Sequence, residues 1–476
     1  MRGAGRRLEH VGSRVVKTGV GAVVRRRAAD RIDLPLSHWD LAIGANERLW
    51  SGPLDLEVLA RREGTPLHVA RGDLLDRNVD AALRRRAAGP RCDAFYSYKT
   101  NPVPGVLARM HARGVGAEVI SAYELWLALR LGVPPQRIVY NGPAKTSDSI
   151  RLAIRRGVLL INANSASEAE LIAGLAAAEE HVVNLGVRVA LPGMWSGQFG
   201  IAADSPLVTS AVQRAAAHPF VALRGLHFHR GLTIRDRQTL TAYVSGVLSF
   251  CDDLHRRTGW HPEILDLGGS LACPTVSSIP PRQYRFNRAL GTDLLPPDPA
   301  VAVGLADAST IAATMVADHF AAAGRPSPRV VLEPGRALSA NTQLLLTTVV
   351  DVKEDGQLAH AVLDAGIGVA EPVPNEYHQL FSVSAPAAAA TTGYRLVGPI
   401  CTPMDVLYNH WRLPRLEVGH VLAIMDSGAY FIPQSTAFSF PRAPVVLQDG
   451  AAVVPCRRRE TFDDMVRCDD LPTDHP

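Results

Sequence analysis

Six cysteines in 476 residues, Cys92, Cys251, Cys273, Cys401, Cys456 and Cys468, are too few and too scattered for a disulfide framework. None forms the CxxC pair of a zinc site, so no metal is expected, and the thiols fit a reducing, cytoplasmic setting. Aromatic residues are only 6% and the net charge is a mild +4, so the basic stripe interleaved with aromatics that a nucleic-acid surface needs is missing. No uninterrupted apolar run approaches the ~18 residues of a membrane span, and the N-terminus lacks the continuous apolar core of a secretory signal. What remains is the expectation of a soluble enzyme that binds neither nucleic acid nor membrane.

What charge there is gathers at the front. Arg2, Arg6, Arg7, Arg14, Lys17, Arg25, Arg26 and Arg27 make residues 1–33 a basic extension, while 34–65 is turn-rich sequence expected to join a β domain. From 66 to 340 short apolar runs alternate with segments of helical period. The runs are 95–99, 117–120, 138–141, 158–162, 185–190, 223–229, 264–268 and 330–333. Continuous apolar strands of this kind suit a parallel sheet buried on both faces, and eight of them alternating with helices predict a (β/α)8 barrel. In such a barrel the strand C-termini carry the chemistry. Here those ends offer Lys99, Asn141, Asn162, Arg188, His229, Gly268 to Ser270, and Glu333. A Pro-rich insertion at 273–300 is expected to form a lid or an interface. Residues 341–476 read as a separate β domain with no regular helices.

Six stretches then make a specific likeness: YSYKTN (96–101), HFHRG (227–231), DLGGS (266–270), EPGRAL (333–338), GPICTPMD (398–405) and DSGAY (426–430). In this order they resemble the fold-type III pyridoxal 5'-phosphate (PLP) decarboxylases, the diaminopimelate and ornithine decarboxylase family, over residues 65–450 or so. The resemblance implies a PLP barrel with a C-terminal β domain. It implies that Lys99 carries the cofactor, that Glu333 faces the pyridine nitrogen and that His229 stacks on the ring. His227 is expected to be a buried, hydrogen-bonded neighbour. The phosphate is expected against Gly268, Gly269 and Ser270, the backbone near Gly335 and Arg336, and the Tyr430 hydroxyl. Cys401, as proton donor, and Asp405, as substrate contact, are implied to reach the site of a partner subunit in a homodimer.

Two other patterns are weaker. Ser121 and Glu124 fit a helix capping box. Gly142 to Thr146 looks like the end of a phosphate loop, but Pro143 lacks the N–H such a loop needs, and no nucleotide site is expected there.

The chain also departs from the family. Thr402 follows Cys401 where an acidic residue is typical, 369–378 contains no arginine, and Leu232 stands where a serine is usual. Loss of a charge partner in a polar pocket changes specificity strongly. The expected reaction is therefore decarboxylation at Cα of an amino acid with a modified or non-basic distal part, free or tethered to a carrier, with Arg188, Thr402 and Asp405 facing it. The basic extension would suit an acidic carrier. Racemisation or epimerisation on the same scaffold is the alternative, and a catalytically silent regulator a more distant one.

Overall fold

The computed structural model describes residues 33–83, 92–355 and 358–470. All but the last residue of the basic extension lies outside them. The chain forms two compact units.

The first unit comprises 72–274 and 299–340. Its strands are β1 (Cys92–Ser97), β2 (Gly116–Val119), β3 (Ile138–Tyr140), β4 (Leu160–Ala163), β5 (Val183–Ala190), β6 (Val221–Phe228), β7 (Ile264–Asp266) and β8 (Arg329–Leu332). All pair in parallel with their neighbours, and β8 returns to β1 with Val330 opposite Cys92, closing the barrel. Each strand is short and nearly wholly buried, which is why its sequence reads as an apolar run and not as an alternation. The intervening helices start where small polar residues cap them: Ser121, Thr146, Ser165, Ser205 and Asp236 each accept a first-turn N–H.

The segment Pro299–Ala322 is long and apolar enough, by length and composition, to cross a membrane, with mean hydropathy 1.6. Its helix Leu305–Ala322 runs between β7 and β8 and buries Ala308, Ala312, Ala313, Val316 and Phe320, with 28% of the apolar window buried.

The second unit gathers residues up to 71, 275–298 and 341–476, so two of the expected boundaries move. Leu67–Arg71, placed with the barrel from the sequence, pairs with the long strand Gln343–Asp355 and with Val445–Asp449. The Pro-rich insertion, from 275 to 298, likewise groups with this unit. Ser277–Ser278 pairs with Glu376–Tyr377, and Pro281–Leu290 is a helix that begins at a proline, where the missing N–H costs nothing. Asn287 of that helix donates to the carbonyls of Thr292 and His410. The sheet also contains a strand that the sequence did not reveal, Val406–Leu413, whose bulged pairing with Thr392–Val397 interrupts the regular period. A core of Trp39, Leu49, Leu344 to Leu346, Tyr394, Tyr408, Trp411 and Phe431 fills the unit.

Candidate active site

Glu333 follows β8 and is 3% exposed. Its Oε1 accepts a hydrogen bond from the Asn141 amide at 2.5 Å, and the same amide donates to Glu118 Oε1 at 3.0 Å. Asn162 donates to Asn141 Oδ1 at 2.8 Å and more weakly to Asp266 Oδ2 at 3.4 Å. Ser97 donates to Glu118 Oε2 at 2.6 Å, and Gly268 N–H to Asp266 Oδ1 at 2.9 Å. Six strands thus bring side chains to one polar network inside the barrel. Burial, and secondly the Glu333 charge, push the Glu118 and Asp266 carboxyls above their ordinary range. Lys99 opposes the shift at Glu118. It sits half-buried in the tight turn Tyr98–Thr100 that ends β1.

His227 and His229 flank this network. His227 Nε2 is 3.6 Å and His229 Nδ1 3.9 Å from Glu333 Oε2. His227 is buried as expected, but among the described residues neither ring nitrogen has a hydrogen-bond partner, its Glu333 neighbour standing 3.6 Å away. At His229, Gly269 N–H points to Nδ1 at 3.4 Å and Ser270 Oγ lies 3.3 Å from Nε2, which puts the ring proton on Nε2. The three ligand atoms of His227, His229 and Glu333 lie within 4.8 Å of one another, a spacing that a metal ion could also use.

Burial, followed by the Lys99 charge, lowers His229 to about 3. The sign follows. Below its ordinary value of 6.5 the unfolded chain takes up a proton that the folded one refuses until near pH 3, so this stabilisation is full above 6.5 and is lost on acidification. Relative to wild type, apo His229→Asn should therefore gain about 2 kcal/mol of unfolding free energy between pH 7 and pH 5, measured by urea denaturation. An unchanged difference at the two pH values would contradict the assignment.

The glycines close around this pocket. Gly268 has φ +64°, and a Cβ there would lie 2.6 Å from both His229 Nδ1 and the Phe228 carbonyl. A Cβ on Gly269 would meet the Glu333 carbonyl at 2.4 Å, and one on Gly335 the Thr100 hydroxyl at 2.2 Å. That hydroxyl is buried and has no hydrogen-bond partner among the described residues. Arg336 opens the short turn after Gly335. Arg188, on β5, is buried, with its guanidinium 4.7 Å above the Phe199 ring. Leu232 is exposed.

Four residues here were missed from the sequence. Glu118 and Asp266 are acidic residues within short, fully buried strands, and that contradiction was the available signal. Trp195 and Phe199 stack with ring centroids 5.7 Å apart, and Trp195 lies 5.9 Å from His229. Nothing in their spacing distinguished them.

The other expectations on this unit resolve structurally. Ser121 caps its helix, and Glu124 accepts from the Ile120 N–H. Lys145 is buried, donates to the Gly142 carbonyl and pairs with Glu168 at 2.9 Å. It is committed to the fold.

Cys401, Thr402, Asp405 and Tyr430 belong to the second unit. Cys401 is exposed, and Tyr430 holds φ +70°. Asp405 requires a correction. Expected to contact substrate, it is 2% exposed, and its two oxygens accept from Ile367 N–H and Ile400 N–H, each at 2.8 Å. A carboxylate committed in this way to the main chain is a structural clamp.

Residues 76–340 match the family model "Pyridoxal-dependent decarboxylase, pyridoxal binding domain". The chain belongs to this family. Curated relatives include the diaminopimelate decarboxylases of Zymomonas mobilis, 28% identical over 87% of this chain and 94% of the relative, and Methanocaldococcus jannaschii, 28% identical over 88% and 94%. The solved M. jannaschii diaminopimelate decarboxylase superposes with a TM-score of 0.81 at 26% identity, covering 92% of this chain and 99% of that one. Another structure of the same enzyme, in complex with L-lysine, gives 0.79. The protein is thus a PLP-dependent carboxy-lyase acting on an amino acid, with the fold-type III architecture that its motifs implied. PLP fits the pocket on this chain's own terms: a lysine at one strand end, a buried acid at another, a neutral imidazole, and glycines that leave no room for side chains.

Proposed function

We propose that this enzyme removes the α-carboxyl group of a diaminopimelate- or ornithine-like amino acid whose distal end is modified or non-basic, working as a homodimer with shared sites. The observation that carries the substrate reading is the sequence around the β-unit turn. Cys401 is followed by Thr402 and Pro403, and the segment 369–378 offers Glu371, exposed beyond the turn Ile367–Ala370, and no arginine. A distal carboxylate or a second α-amino-acid centre would lack its cationic partner there. The relatives named diaminopimelate decarboxylase support the carbon skeleton. At 26–29% identity they leave room for a changed distal group.

Bound PLP supplies an electron sink for the pair left at Cα when CO2 departs. This chain's residues do the rest. Lys99 holds the cofactor through its Nζ. Glu333, fixed by Asn141, holds a proton at the ring nitrogen. His229, kept neutral by burial, offers a ring face with no competing charge. Gly268 to Ser270, Gly335 and Arg336 receive the phosphate, with the Tyr430 hydroxyl. Arg188 and Thr402 face the substrate. Cys401 delivers a proton to Cα from a second copy of the chain. The free thiols support a cytoplasmic setting, and the basic extension supports an acidic carrier as donor of a tethered substrate.

The test is CO2 release from free diaminopimelate, lysine, ornithine, arginine, and distally acylated or acidic analogues. The distally acylated compounds should turn over with the highest kcat/KM. Efficient turnover of unmodified diaminopimelate overturns the substrate reading, and exchange of the Cα hydrogen without CO2 release would favour racemisation.

A further inference from the structure

We propose that Asp405 is a positioning residue, which sets the place of Cys401 through the main chain and does not touch the substrate. Its carboxylate bridges two loops: Oδ1 takes the N–H of Ile367, at the start of the turn Ile367–Ala370, and Oδ2 takes the N–H of Ile400, immediately before Cys401. The same residue closes the cysteine turn with its own backbone, since Gly398 N–H donates to the Asp405 carbonyl at 3.0 Å and Asp405 N–H to the Thr402 carbonyl at 3.2 Å. Cys401 therefore rides on a loop tied at both ends by one aspartate.

The glycines show that the fit is tight. A Cβ on Gly366 would lie 2.2 Å from Asp405 Oδ1, and one on Gly398 2.3 Å from Oδ2. Glycine is needed on both sides of the carboxylate because the backbone passes within contact of it. The first loop is anchored in turn, its Gly368 carbonyl accepting from Thr436 N–H at 3.0 Å. Two charge-assisted bonds, one to a buried and one to a part-buried N–H group, hold the loops more firmly than neutral acceptors would. Glu371 ends the same clamped turn, so a single carboxylate sets the spacing between the proton donor and the residue that would read the distal group.

This inference rests on Cys401 being the proton donor, and the experiment separates the two claims. In the full-length holoenzyme, Asp405→Asn keeps the shape but cannot accept both N–H groups. Hydrogen exchange should accelerate roughly 10- to 100-fold in peptides covering 366–370 and 398–405, with the barrel peptide 104–112 unchanged. kcat should fall by a similar factor while KM stays within about threefold. Gly398→Ala attacks the same contact from the other side and should reproduce the effect, and the double variant should cost little more than either single one. Wild-type exchange in both single variants overturns the clamp. A Cys401→Ser enzyme with wild-type kcat overturns the proton-donor role on which the kinetic arm depends.

Discussion

Lys99→Ala should abolish covalent capture of PLP and lower kcat/KM by a factor on the order of 10³ or more. Borohydride reduction and digestion of the wild-type holoenzyme should leave a pyridoxyl group on the peptide spanning 92–104, and none should form in the variant. A Lys amine reacts with an aldehyde only when unprotonated, and this one stands half-buried in the turn that ends β1, within electrostatic reach of the buried Glu118. The variant also tests the dimer. Lys99→Ala and Cys401→Ala are each expected to be inactive alone. If a second copy supplies Cys401, random exchange of subunits in an equimolar mixture gives heterodimers with one intact site, and about a quarter of wild-type activity should return. No recovery after verified subunit exchange would dispose of the shared-site dimer. A pyridoxyl adduct located elsewhere would remove Lys99 from its role.

The parts legible in the sequence are those where one physical rule acts alone. The barrel strands are buried on both faces, so hydrophobicity needs no period to betray them, and the polar residues at their ends stand out against it. The β unit obeys several rules at once. Leu67–Arg71 reads like the barrel strands because it is equally buried, yet it pairs with Gln343–Asp355, a partner some 270 residues away that no local pattern specifies. Helix Pro281–Leu290 is hidden among prolines that look like breakers but in part serve as its first turn. At the site, the residues that are polar at a strand end could be named. Glu118 and Asp266 were not named, although acids inside short buried strands were the signal, because the amides and hydroxyl that satisfy them come from neighbouring strands. Asp405 was misassigned on other grounds. The family resemblance implied a substrate contact, while the fold commits both its oxygens to backbone N–H groups.

Glu333→Gln should bind PLP, as judged by its visible absorbance, but lose on the order of 10²- to 10³-fold in kcat. The substitution preserves shape, and the Gln carbonyl can still accept from Asn141, so the loss isolates charge. A buried carboxylate in a low-dielectric pocket favours a proton at the ring nitrogen far more strongly than a neutral amide does. A kcat within about threefold of wild type would show that charge at this position is not what the reaction uses. The network predicts a second signature. Glu333 is the second-largest cause, after burial, of the raised Glu118 and Asp266 values. Without its charge both carboxyls should ionise at lower pH, so the acid limb of the kcat profile should move down in Glu333→Gln. Asn141→Ala should leave that limb closer to its wild-type place, since it frees a hydrogen-bonding site without removing a charge. A structural role for Glu333 alone would lower activity in both variants and shift neither limb, and that contrast distinguishes an electrostatic device from a packing one.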